Sequence, residues 1–211
     1  MDDLDSSFRE GRGADVIAAL TTAFADVEAR DLHARWHPLG FFRIELPAVG
    51  DGHRYVVHAW PRGERLGERS PWPVHSHAWM VESCVVSGRM RDLQYRRATS
   101  GEALKGPLYQ ASNVGETSRL ERTSALIGLD VDQEVITEAG QFYSIGMHVF
   151  HRSVVEIENH CITVARLGRR TGAKAYVLGD CDGPAERTSR TGWVGLGTLT
   201  EFLGDLRESD M

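Results

Sequence analysis

The apolar positions of the chain follow two periods. Between Asp15 and Trp36, Ile17, Leu20, Phe24 and Val27 recur at helical spacing, and Pro38 and Gly40 follow. With Asp15 near the positive N-terminal end, this predicts an amphipathic helix over 15–36. Beyond Gly40 the period shortens to two. Phe41–Leu46 and Arg54–Trp60 read as strands. So do Met80–Val86 and Met90–Arg96, with Ser87-Gly88 between them as a tight hairpin. Residues 97–116 hold much Gly and Ser and little periodicity, which predicts a long loop and a candidate lid. Further strands are predicted at 118–123, 130–137, 141–145, 154–158, 160–167 and 174–178. Helical spacing returns at Leu199, Phe202, Leu203 and Leu206 behind a capping-box pair, Thr198 and Glu201, giving a helix over 198–207. Short strands between terminal helices predict one all-β barrel or sandwich domain over 1–211, the barrel spanning about 41–180.

Composition narrows the function classes. A net charge of −6 argues against a nucleic-acid footprint and a basic membrane surface. No apolar run approaches the roughly 20 residues that span a bilayer. The acidic N-terminus lacks the apolar core of a signal peptide, so the expected location is cytoplasmic. Cys84, Cys161 and Cys181 show no CxxC spacing, which argues against a disulfide framework or a cysteine-rich zinc site. The nine histidines say more.

His75 and His77 are one residue apart, so strand alternation turns both rings to one face. Two such imidazoles suit a divalent first-row metal, and Glu82 offers a carboxylate five residues later. A third ligand must come from elsewhere. The stretch from Gly140 to Arg152 supplies His148 and His151 behind a glycine turn and a short strand. Arg43, among apolar strand neighbours, is a candidate to hold a substrate carboxylate. Tyr143, Trp79, Met80 and His148 are candidates to line the cavity, and His148 could also transfer a proton or orient a ligand.

Together these residues resemble the two motifs of the cupin superfamily. His75, His77, Glu82 and Gly88 correspond to the first motif, and Gly140, Gly146 and His151 to the second. The leading helix, the arginine strand, the strand ending in Trp60 and the Ser144–His148 run SIGMH are similar to the cysteine dioxygenase (thiol dioxygenase) branch. Second-motif spacing makes His151 the third histidine ligand, whereas the SIGMH run nominates His148, and both stay open. The gap from Glu82 to Gly88 is one residue shorter than the family pattern. Alternation from His77 turns Val81 inward and Glu82 outward unless a bulge intervenes. No match stands for the branch's catalytic tyrosine after the second motif.

The resemblance implies a double-stranded β-helix (jelly-roll) barrel. It implies a metal on His75, His77 and His151, with or without Glu82, and catalytic or substrate roles for His148, Tyr143, Arg43 and Trp79. The expected metal is Fe(II), with Ni, Co, Zn, Mn or Cu also open. The expected activity is a dioxygenase that binds O2 and a small polar metabolite, such as a thiol or amino acid, side by side. A non-redox isomerase or lyase, or a metal-holding ligand-binding module, are the alternatives. A homodimer through edge strands or terminal helices is left open.

Overall fold

The computed structural model of the protein describes residues 2–47, 53–63, 65, 71–99, 103–114, 117–169, 172–190 and 192–209. The chain opens with helices α1 (Asp2–Arg9) and α2 (Gly13–Phe24). Three strands follow, β1 (Ala34–Trp36), β2 (Phe42–Glu45) and β3 (Arg54–Trp60). Three long strands come next, β4 (Val81–Arg97), β5 (Leu104–Val114) and β6 (Thr117–Glu138). Shorter ones complete the sheets: β7 (Phe142–Ile145), β8 (Phe150–Val154), β9 (Cys161–Leu167), β10 (Ala175–Leu178) and β11 (Glu186–Arg190). Helix α3 (Leu196–Glu208) ends the fold. The architecture is the expected all-β jelly-roll class with terminal helices, and every strand pair is antiparallel.

The helices serve one face of one sheet. Leu4 and Phe8 of α1, Val16, Leu20 and Phe24 of α2, and Leu199, Phe202, Leu203 and Leu206 of α3 are buried in a single cluster. Their partners are Trp36, Phe42, Tyr55, Val57, Cys84, Val86, Ile162 and Val164, alternate residues of the β1–β2–β3–β9–β4 sheet. Period two then requires the intervening residues to face the barrel interior. They include Arg43, His58, Ser83, Val85, Thr163 and Ala165.

Strand β4 serves both sheets. Residues Val81–Gly88 pair with β7 and β9, and Arg89–Arg97 pair with β6 and β8. The predicted hairpin at Ser87-Gly88 is therefore a crossing point within one strand. Its irregularity is a register shift between Val85 and Ser87, beside a positive φ of 75° at Gly88. Glycine and small polar residues mark bulges as well as turns, and sequence alone does not separate the two.

Other predicted bounds shift for similar reasons. The candidate lid is largely strand β5, ordered by pairing with β6 and β10 rather than by any apolar alternation of its own. The predicted strands at 118–123 and 130–137 belong to the single strand β6. The N-terminal helix stops at Phe24, and a 3-10 turn (Ala29–Asp31) and β1 replace its second half. The strand at 154–158 lies earlier, as β8, and β11 follows the one predicted to be last. Helix α3 starts two residues before Thr198, and Gly195 is its N-cap without a side-chain capping bond. Residues 61–73, which read as a polar loop rich in Arg, Gly and Pro leading to the histidine pair, fall partly outside the described residues.

Candidate metal centre

The two-histidine segment is held between two strands without being a regular strand. His75 bridges His151 on one side and Val177 on the other. The His75 N–H donates to the His151 carbonyl at 3.0 Å, and the His151 N–H returns the bond at 2.8 Å. On the far side Ser76 N donates to Tyr176 O at 2.8 Å and Leu178 N to Val74 O at 2.9 Å. The segment thus joins β8 to β10, and hydrogen bonds run round from β10 through β5, β6, β4 and β8. Ring closure places His75 and His77 beside the strand that carries His151.

Strict alternation holds across the segment. Ser76 is buried and accepts a hydrogen bond from Tyr176 N on its Oγ, while His75 and His77 share the opposite side with ring centroids 4.9 Å apart. The His151 ring lies 4.4 Å from that of His75 and 5.0 Å from that of His77. One nitrogen from each of the three lies within 4.8 Å of the others. The Nε2 atoms of His77 and His151 are 2.9 Å apart. Two ligands at about 2.1 Å from a metal, at right angles, stand about 3 Å apart, so this pair matches one edge of an octahedral site.

The surroundings fix the rings. His151 donates from Nδ1 to Oδ1 of Asp92 at 2.8 Å. Asp92 is fully buried on β4, and its Oδ1 also accepts from Ser153 Oγ at 3.0 Å. His75 donates from Nδ1 to the Pro73 carbonyl at 3.0 Å. In both residues Nε2 is then left with its lone pair for a cation, as in histidine ligands steered by a carboxylate or carbonyl. Burial, then the neighbouring histidines, hold His77 well below the usual imidazole range. Burial likewise takes His75 down to about 3, helped by the charge of His151 and opposed by the Pro73 carbonyl. Neutral rings are the form that binds metal.

Not every candidate joins the group. Glu82 faces away from it and pairs with Arg166 at 3.3 Å, its side chain 42% exposed. Strand alternation wins because the bulge falls after Glu82, between Val85 and Ser87. His151, not His148, completes the triad. His148 is exposed on the turn before β8 with φ 66°, and its N–H donates to the His77 carbonyl at 3.1 Å. It braces the histidine segment through its backbone. Trp79 lies 6.2 Å from the His77 ring, partly buried, with the Arg54 guanidinium over it. Met80 is exposed.

Tyr143 is buried in the interior cluster of Val81, Val85, Ile145 and Ala165, and burial pushes its phenol well up, so it stays protonated. Arg43 lies opposite His58 across β2 and β3 and pairs with Glu45 at 2.7 Å while one third exposed. Cys84 and Cys161 are buried thiols, both pushed up to about 12 by burial.

Three contributors went unassigned in the sequence. Asp92 is one. Met90, Asp92 and Gln94 alternate, so a carboxylate on the same face as an apolar residue inside a strand was a readable signal. His37 and His58 are the others. His37 stacks on Phe41 at 4.3 Å, Phe41 meets His58 edge-on at 5.0 Å, and His58 stands opposite Thr163 on β9. Burial, then the Arg43 guanidinium, lowers His58 to about 3.

A folded-state value below the unfolded one means that the unfolded chain binds more protons between the two. For His58 and His75 that window runs from about 6.5 down to about 3. The stability of the metal-free protein should therefore be complete above pH 6.5 and fall steadily below it. Melting temperatures across pH 4–8 check this, and His58→Gln should flatten the slope.

No family model and no curated protein matches the chain. Among solved structures, a chain from the crystal structures of the DMSP lyases RdDddP and RnDddQII aligns at 14% identity with a TM-score of 0.36. It covers 64% of this chain, which spans about half (51%) of that one. A structure of TmCBM61 in complex with beta-1,4-galactotriose aligns at 14% identity and a TM-score of 0.12, covering 71% of this chain and 70% of the other. Among the described residues no helix is long and apolar enough to cross a membrane.

Proposed function

We propose that the protein is a metal-dependent enzyme of cupin type. It holds a divalent first-row ion, Fe(II) by first choice, on Nε2 of His75, His77 and His151. The observation that carries this is the convergence of three histidine nitrogens, two of them aimed by Nδ1–H bonds to Asp92 and to Pro73. With three protein ligands, a six-coordinate ion keeps open positions, which mark catalytic rather than structural sites. Bound Fe(II) would supply adjacent positions for O2 and a chelating substrate. The reaction we favour is dioxygenation of a small polar metabolite such as a thiol or amino acid.

The chain's own residues do the rest. Asp92 keeps the His151 ring in one orientation and one tautomer. Arg43, beside His58, meets an anionic group of the substrate, and Trp79 walls the cavity next to His77. Tyr143, held protonated, offers a hydrogen-bond donor from the interior face. Enclosure by the two sheets limits water around the reacting groups.

Elemental analysis of the purified protein should find one first-row metal per chain, and oxygen uptake should respond to a panel of thiols and amino acids. Zinc or nickel without oxygen uptake would favour the isomerase or lyase alternative. Asp92→Ala should weaken metal binding by about 10–100-fold, the usual cost of losing such a partner. Glu82→Ala should leave it unchanged. Equal metal losses in those two variants would contradict this ligand set.

A further inference from the structure

A cavity of about 560 Å³ opens outside the barrel, between α3 and the adjoining ends of β3 and β9. Phe42, Ala59, Ile162 and Phe202, which line it, belong to the cluster under the helices. It therefore lies on the opposite side of that sheet from the barrel interior and shares no residue with the metal centre. Its walls carry opposite charges. Trp60 pairs with Cys161 across β3 and β9, so Arg62 and His160, just beyond them, leave the sheet side by side. Facing them are Glu201, Asp205 and Glu208 of α3, spaced to share one helix face.

The basic wall is held in place. Arg62 donates to Nδ1 of His160 at 2.7 Å, and a guanidinium can only donate, so Nδ1 is the acceptor. Nε2–H then donates to Ser87 Oγ of β4 at 2.8 Å. Burial lowers the proton affinity of His160, against the pull of Asp205, which keeps the ring in this neutral form. A guanidinium carries several donors, and Arg62 spends one on His160 and stands 3.8 Å from Asp205, its side chain 60% exposed. Donors are left over for a ligand. On the other wall, Glu201 and Glu208 make no hydrogen bond or ion pair among the described residues.

We propose that this cavity is a second ligand site, built for a free α-amino acid with an apolar side chain. The ligand's carboxylate takes the remaining donors of Arg62, the bidentate pairing that a guanidinium suits. Its ammonium meets the carboxylate of Glu201 or Glu208. Its side chain lies over the floor of Phe42, Trp60, Ile162 and Phe202. A simple anion would face the carboxylates of α3, and a simple cation would leave the Arg62 donors unused. A zwitterion answers both walls. The site stands apart from the metal centre and does not rest on the reaction assigned there.

Isothermal titration of the purified protein with L-leucine tests this. Saturable binding is expected, with a dissociation constant on the order of 1 mM for a ligand of so few atoms. Leucinamide lacks the carboxylate and N-acetylleucine lacks the ammonium, and each should bind at least about tenfold more weakly. Arg62→Gln, and Glu201→Gln with Glu208→Gln, should weaken leucine by a similar factor. All of these side chains are exposed, so the fold is not at risk. Gly204→Leu should abolish binding without lowering the melting temperature. Gly204 lines the cavity, a methyl built there meets nothing within 4 Å, and leucine is the better helix former. Binding should persist in His77→Ala, in which the metal centre is disabled. Four results overturn the proposal: no saturable binding up to about 10 mM, leucinamide as tight as leucine, binding that survives Gly204→Leu, or binding lost in His77→Ala.

Discussion

His77→Ala should strip the protein of stoichiometric metal while leaving it folded. The ring stands on the irregular segment between β8 and β10, and that segment is held by backbone bonds of His75, Ser76 and His148 that the substitution leaves in place. Its Nε2 lies 2.9 Å from that of His151, so removal takes away one edge of the coordination polyhedron. Losing an outer partner of a metal site costs roughly 10–100-fold in affinity, and losing a direct ligand should cost more than about 100-fold. Elemental analysis after dialysis reads the metal, and the unchanged melting curve of the metal-free protein reads the fold. Full metal retention in His77→Ala would remove the ligand set and the enzymatic reading with it. The same substitution at His75 is less clean, because that ring also donates to the Pro73 carbonyl.

How much of this was legible in the chain depends on where the information sits. The inward pairing of His75 and His77 was readable because alternation is a local property, and it held even though the segment is bridged rather than a strand. The outward turn of Glu82 was readable for the same reason, once no bulge came between it and His77. The choice between His148 and His151 was not local. It depends on the tight turn that puts His148 at positive φ and starts β8 two residues later. Strand β5 and the middle of β6, between the two pieces that were read as strands, were hidden because much of what orders them is backbone pairing. β6 exposes Leu126, Val131 and Ile136, so its side chains do not report a buried face. Asp92 stood in a strand that was recognised. Its role required knowing that β4 bends past Gly88 and pairs with β8, which is long-range information.

That bend gives the second large effect. Gly88→Ala should destabilise the protein by roughly 2–5 kcal/mol and weaken the metal site as well. Two costs add. Alanine at φ 75° costs about 1–2 kcal/mol in left-handed strain. A methyl built there would also stand 2.2 Å from the carbonyl oxygen of His160, backbone that yields only if β9 moves. Overpacking of this kind costs about 1–3 kcal/mol. Relaxation would be felt at the site because Gly88 is where β4 leaves β9 for β6 and β8. Four residues on is Asp92, whose Oδ1 fixes the His151 ring. A denaturant midpoint lowered at constant slope would record the strain. A weaker metal affinity in the fraction still folded would record the displaced carboxylate. A variant as stable as the wild type, with unaltered metal binding, would mean that the crossing tolerates a side chain and that the aim of Asp92 is set elsewhere.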